Sequence, residues 1–329
     1  MKRFLAICIS LFLLAFPFSG CNKKTDDKTI RLNEVTHSVF YAPLYLAIEN
    51  GYFEENGIKV ELTNGGGADN SMTALLSGSA DVGLMGPETV IYVQNQGKND
   101  APKVFGQLTQ KDGSFLVSRV AEPDFKWTNL SGKEILAGRK GGVPAMTFEY
   151  VLNQINMTNN VDFKLNFDVQ FNLMTSAFLS GTADYCTVFE PTASEYQALG
   201  YWHIVASVGE ESGEIPYTSF IALESYIKNN SDTLKSFLKA IKKAHEFMKE
   251  NTEYAVAEAI VKQFPSTSIK SIETSLKNYK AIDAWKTDLQ ATEDSFTRLQ
   301  DVMENAGELS KRVDFNNLVD NSLAKEVFG

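Results

Sequence analysis

Apolar and polar positions alternate along residues 29–36 (TIRLNEVT), the period of a half-buried β-strand. A short helix follows at 42–50 and stops before Gly51, a residue suited to a helix end. Residues 57–62 (GIKVEL) predict a second strand, trailed by Gly65-Gly66-Gly67 and a helix over about 70–76. A short strand at 81–85, a helix opening at Pro87, and strands near 104–108 and 115–118 complete a first series. A second series starts near Ile135, with a strand to Ala137, the loop Gly138-Arg139-Lys140-Gly141-Gly142 and a helix from Pro144 to about Ile155. Strands near 167–171 and 185–188 follow, with helices before and after the latter. Such alternation predicts an α/β fold with crossover helices. From Asn230 onward the pattern is helical, over about 231–250, 252–263, 266–279 and 292–306. Ser231 reads as the cap of the first of these, with Leu234, Phe237, Leu238 and Ile241 on one buried face.

The two series share a repeat. LLSGSADVGLM at 75–85 and FLSGTADYCTV at 178–188 match at Leu76/Leu179, Gly78/Gly181, Ala80/Ala183 and Asp81/Asp184, at one offset. Each copy ends a helix at Gly, turns through Ala-Asp, runs a strand and meets a proline, Pro87 or Pro191, beside a glutamate. Two lobes of one design facing each other are expected, and at about 150 residues per domain the 329-residue chain has room for both. Residues 29–120 are expected to begin the first lobe, 121–215 to form the second and 216–329 to complete the first.

Composition narrows the function classes. With 43% hydrophobic and 22% charged residues the chain is globular, which excludes a disordered or fibrous protein. A net charge of −10 repels a phosphate backbone, so nucleic acid is not expected as a partner. Residues 1–20 stand apart: Lys2 and Arg3, an apolar run over 4–18, then Ser19-Gly20-Cys21. As a helix that run spans only ~22 Å against a ~30 Å bilayer core, so it predicts a signal peptide. Small residues before Cys21 resemble the lipobox of bacterial lipoproteins, although Phe18 stands where leucine is usual. The resemblance implies cleavage after Gly20, lipid on Cys21 and a polar tether over 21–28. Cys8 would be lost with the signal, leaving Cys186 as the remaining thiol, so no internal disulfide is expected. Histidines occur at 37, 203 and 245 without metal-ligand spacing, and His245-Glu246 lacks the second histidine of a zinc-protease helix. Neither a metal nor a cofactor is expected.

Residues 40–47 (FYAPLYLA), Gly51-Tyr52-Phe53 and Gly57-Ile58, with the segment at 78–83, the glycine loop before Pro144 and Phe189-Glu190-Pro191, resemble a family of solute receptors. It includes the nitrate, sulfonate, taurine and thiamine-pyrimidine receptors (NMT1/THI5-like) of ABC importers, and the likeness covers roughly residues 29–310. It implies a type II periplasmic-binding-protein fold, two α/β lobes closing by a hinge on a small solute, a monomer, and ABC permease and ATPase subunits as partners. It also implies an exported protein held by Cys21 at the outer face of the cytoplasmic membrane. A pyrimidine synthase shares the resemblance, but it carries a cysteine-rich cluster that this chain lacks. With no GxSxG or GxxxxGK[ST] motif either, a receptor is expected rather than an enzyme.

The candidate ligand residues lie where strand ends meet helix starts, the usual ligand position of open α/β sheets. His37, Ser38, Phe40 and Tyr41 follow the first strand; aromatic rings there either stack on a planar solute or fill the core. Gly66 lies in the glycine run after the second strand. Gly86, Pro87 and Glu88 follow the third strand, where the glutamate either meets the solute or only complements the helix dipole. Phe189 and Glu190 hold the matching place in the second lobe, and Glu190 is the stronger candidate for pairing with an aminopyrimidine. Gly141, Gly142 and Val143 open a helix whose N–H groups suit an anion, with Arg139 and Lys140 beside them; the alternative is a tight turn with both cations in solvent. Lys111 and Tyr217 are placed at the crossings between lobes. A planar heterocycle of the thiamine-pyrimidine-precursor type is the expected solute, and a small anion such as an alkanesulfonate, taurine or nitrate the alternative.

Overall fold

The computed structural model describes residues 28–329; the expected signal segment 1–20, the expected lipidation site Cys21 and all but the last residue of the expected tether lie outside the described residues. β1 (Lys28–Glu34) pairs in parallel with β2 (Ile58–Asn64) on one side and β3 (Val82–Met85) on the other. β4 (Pro102–Thr109) ends this stretch and the chain crosses over to β5 (Ser114–Ser118). A second sheet then forms from β6 (Glu134–Leu136), β7 (Lys164–Leu165), β8 (Tyr185–Phe189) and β9 (His203–Ser207), and the chain crosses back to β10 (Thr218–Leu223). The strand orders are β2-β1-β3-β10-β4 and β7-β6-β8-β5-β9. Each sheet therefore receives, antiparallel to its third strand, the strand that has just crossed from the other. This is the α/β two-lobed architecture expected from the sequence, completed by a helical C-terminal part.

The repeat has a structural meaning. Leu32 pairs with Val82 as Ile135 pairs with Tyr185. The Asp81 carboxylate accepts the Arg31 N–H at 2.9 Å, and Asp184 accepts the Glu134 N–H at 2.9 Å. In both lobes one aspartate satisfies a strand-edge donor at the turn into the third strand, which is why Ala-Asp appears twice.

Every residue of β3 is buried, as a strand covered on both faces should be. The neighbouring strands β4 and β10 are covered by the Ser231–Glu250 helix, whose Leu234, Phe237, Leu238 and Ile241 are all inaccessible. Phe237 packs among Phe53, Phe105 and Phe220. Its cap position is Asn230 and not Ser231, which is already helical. The next helices are capped by Thr252, Ser268 and Thr292, each accepting a first-turn N–H.

Two expectations are corrected. Residues 167–171 form no strand: Phe171 opens a 3-10 turn (Phe171–Leu173) and packs on Phe189, 6.0 Å between ring centres. Its alternation with Phe167 and Val169 serves tertiary packing, not a ladder. Strands β9 and β10, which the sequence pattern did not predict, become strands through pairing with β5 and β4.

His245 is buried on the inner side of the Ser231–Glu250 helix, and burial pushes its imidazole down to about 4. An unfolded chain takes up a proton below about pH 6.5 that the folded one refuses. Stability should therefore fall as pH drops from about 6.5 towards about 4, by roughly 3 kcal/mol in all. Urea melts at about pH 7 and about pH 4.5 check this: His245→Gln should lose less stability between the two than the parent, and an equal loss would refute the assignment.

Candidate ligand-binding site

The two crossings, residues 110–113 and 208–217, lie against one another, and backbone contact fixes them. A side chain at Gly209 would put its Cβ 2.2 Å from the Asp112 carbonyl oxygen, so only glycine fits. Beside the crossings, between the lobes, is a cavity with about 510 Å3 of atom-free space, open solvent at its mouth included.

Its walls come from both lobes. The first sheet's side supplies Val35, Thr36, Tyr41, Gly67, Ala68, Gly86, Glu88 and Thr218. The second lobe supplies Arg139, Gly142, Val143, Pro144, Phe171 and Phe189, and Tyr217 enters from the return crossing. Four aromatic rings in so small a space suit a flat solute. Contacts between the lobes frame the cavity: the Tyr92 hydroxyl donates to the Gly141 carbonyl at 2.8 Å, and the Ser38 hydroxyl to the Glu190 carbonyl at 2.6 Å. Gly141 has a left-handed backbone (φ 70°), and a Cβ there would lie 3.1 Å from both Tyr92 and Glu308.

Glu88 is the principal polar group. It opens the Glu88–Asn95 helix, is 1% exposed, and its Oε2 has no hydrogen-bond partner among the described residues. Burial pushes its carboxyl above the ordinary carboxylate range, while Arg139 and the backbone N–H groups of Glu88, Val143 and Thr89 draw it part of the way back. Arg139 reaches from the opposite lobe, Nη2 3.8 Å from Glu88 Oε1 and Nε 3.5 Å from Asp69 Oδ1. Lys140 points outward, 3.6 Å from Glu308.

Of the residues expected from the sequence, Tyr41, Gly86, Glu88, Gly142, Val143, Phe189 and Tyr217 line the cavity. The others do not. Gly66 and Gly141 neighbour lining residues, Pro87 caps the Glu88–Asn95 helix, and Lys111 lies in the first crossing away from the wall. His37 faces backwards, its ring nitrogens 2.7 Å from Glu34 Oε1 and 2.9 Å from the Gln263 carbonyl. Ser38 caps the short turn Val39–Tyr41. Phe40 is wholly buried behind the wall, against Tyr41, Phe189, Tyr217 and Tyr279.

Of the two glutamates, Glu88 and not Glu190 lines the cavity. The Glu190 carboxylate accepts the Ser194 N–H at 2.9 Å, the Ser194 hydroxyl at 2.6 Å and the Asn278 amide at 2.6 Å, turned away from the cavity. The cause is local. Pro191, which caps the Thr192–Ala198 helix, has no side-chain acceptor, and Glu190 just before it satisfies an orphan N–H of the first turn. Wall residues not singled out in the sequence include Val35, Thr36, Ala68 and Thr218, which follow or flank the strand ends, and Phe171, which was read as part of a strand. Among the described residues no helix is long and apolar enough to cross a membrane.

Comparison with known proteins agrees with this layout. Residues 39–255 match the family described as NMT1/THI5 like. The chain is 42% identical to YtlA of Bacillus subtilis (strain 168) over 330 residues, 99% of each chain; that protein's name calls it a binding protein and gives no ligand. It is 26% identical over 267 residues, 78% of each chain, to the formylaminopyrimidine-binding protein of Halalkalibacterium halodurans. Its fold is similar to that of the alkanesulfonate-binding protein SsuA from Xanthomonas axonopodis pv. citri, with a TM-score of 0.72, 17% identity, and 89% of this chain and 98% of that one covered.

Proposed function

The chain belongs to the NMT1/THI5-like family of solute-binding proteins of ABC import systems, and from that premise we propose that it captures a small planar nitrogen heterocycle bearing an amino group, of the thiamine-pyrimidine-precursor type. The observation carrying this reading is Glu88: a buried carboxylate with one oxygen unpaired among the described residues, in a cavity walled by four aromatic rings. Such a carboxylate accepts paired N–H donors from an aminopyrimidine, while the rings cover its faces. The relative named for formylaminopyrimidine binding supports the same class.

The features that favour a small anion, Arg139 and the helix start at Val143, both face Glu88. Their positive potential is already directed at a protein carboxylate, and an alkanesulfonate, taurine or nitrate would meet that negative charge at close range. In the proposed cycle the lobe carrying β5 to β9, residues 114–207, closes on the body formed by 28–109 and 218–329. The loaded monomer, exported and held by lipid on Cys21 outside the cytoplasmic membrane, then presents the solute to its permease and ATPase.

Thermal melting of residues 22–329 against aminopyrimidines, sulfonates, taurine and nitrate tests the reading. A ligand at about 100 times its Kd stabilises the folded state by about 2.7 kcal/mol. The aminopyrimidines alone should raise Tm; a rise with sulfonates alone would reverse the assignment.

A further inference from the structure

Asp112 and Tyr217 sit on opposite crossings. Asp112 is fully buried; its Oδ1 accepts the Ser114 N–H at 2.7 Å and the Ser114 hydroxyl at 2.6 Å, and its Oδ2 has no partner among the described residues. Tyr217 is 4% exposed and lines the cavity, and its hydroxyl has no partner among the described residues other than the Asp112 carboxyl. The phenol lies beside the Asp112 carboxyl. Two buried polar groups thus face each other at the hinge, one of them on the ligand wall, and the pull of the phenol on the carboxyl is that of a hydrogen bond between them, the Asp112 Oδ2 and the Tyr217 hydroxyl having no other partner among the described residues.

We propose that Asp112 is a positioning residue that sets the hydrogen-bond polarity Tyr217 shows to the solute. Ionised, Asp112 accepts the phenol hydrogen and leaves a phenol lone pair for the cavity. Neutral, it donates to the phenol oxygen and turns the phenol hydrogen towards the cavity. The inference rests on the cavity taking a ring with N–H donors, which only the ionised arrangement matches at this point. Burial pushes Asp112 up to about 7, with Ser114 and Tyr217 pulling the other way, so the exchange falls near neutral pH. Other titratable groups face the pair through Tyr217: Tyr41, from the turn before the Ala42–Glu49 helix, and Glu88, from the Glu88–Asn95 helix. From the return crossing Gly209 brings only backbone against the Asp112 carbonyl.

Asp112→Asn fixes the neutral arrangement, because its amide oxygen still accepts from Ser114 while its NH2 donates to Tyr217. With the full chain in detergent and 4-amino-2-methylpyrimidine as probe, the affinity advantage of the parent over D112N should shrink about tenfold from about pH 8 to about pH 6. Titration of Glu88 and of the probe enters both proteins alike and cancels in that ratio; a ratio independent of pH would overturn the proposal. A second measurement needs no ligand. The infrared C=O stretch of a protonated buried carboxyl should appear as pH falls through about 7, vanish in D112N and shift in Tyr217→Phe. A band that Y217F leaves in place would overturn the coupling even if no aminopyrimidine binds, whereas failure to bind with a shifted band would refute only the solute class.

Discussion

Glu88→Gln is expected to weaken aminopyrimidine binding by about 1.5–3 kcal/mol, roughly ten- to a hundredfold in Kd, the scale of one hydrogen bond to a charged group. The glutamine keeps the volume but replaces one acceptor by a donor, so one of two paired contacts becomes a clash of donors. The same change should tighten binding of an anion, because it removes the charge that Arg139 and the Val143 N–H now face. The direction of the effect therefore separates the two solute classes, and titration calorimetry with an aminopyrimidine and an alkanesulfonate reads both. Stability should move as well. Because the folded-state carboxyl is raised, the folded protein holds a proton that the unfolded chain has released, and stability declines as pH rises from the ordinary carboxyl range to the raised value. E88Q should remove that decline. An aminopyrimidine affinity equal to the parent's would end the assignment of Glu88.

Phe40→Ala should be the most destabilising single change near the site. The ring is wholly buried, with Tyr279 at 4.8 Å, Tyr41 at 5.7 Å, Tyr217 at 5.9 Å and Phe189 at 6.1 Å between ring centres. It lies on Gly113 of the first crossing so closely that a Cβ there would come within 2.6 Å of it. Its removal should cost about 3–5 kcal/mol, since glycine on one side and clustered rings on the other leave little that can collapse into the gap. Three of the rings it supports, Tyr41, Phe189 and Tyr217, are cavity wall, so ligand affinity should fall together with Tm. Phe40→Leu should recover much of both. Melting and calorimetry on the two variants check this; an alanine variant that melts like the parent would show that the ring carries no load at the hinge.

His37, Phe40 and Glu190 show where sequence reasoning about the site stopped. All three stand at strand-to-helix junctions, where ligand residues gather, and all three are of types that bind heterocycles. Each has instead been taken up by the protein: His37 by Glu34 and the Gln263 carbonyl, Phe40 by the aromatic cluster, Glu190 by Ser194 and Asn278. Two of those partners, Gln263 and Asn278, lie on C-terminal elements far along the chain, and nothing in the local pattern announces them.

Periodicity and the repeated Ala-Asp turn were enough to determine the α/β class and the two-lobed plan, because strand and helix periods are local and the same turn solves the same edge problem twice; the family was legible only through the likeness of particular motifs such as residues 40–47 and 51–58. Which glutamate faces the cavity is decided only in three dimensions. Both strands, β3 and β8, reach their helices through two residues, Gly86-Pro87 and Glu190-Pro191, but the acid follows the proline in the first lobe and precedes it in the second. After the proline, Glu88 is the first residue of its helix and points into the cavity; before it, Glu190 turns back to serve the helix start. Moving the acid from one side of the proline to the other redirects the side chain, and burial together with unmet N–H groups then determines which carboxylate is left facing the cavity.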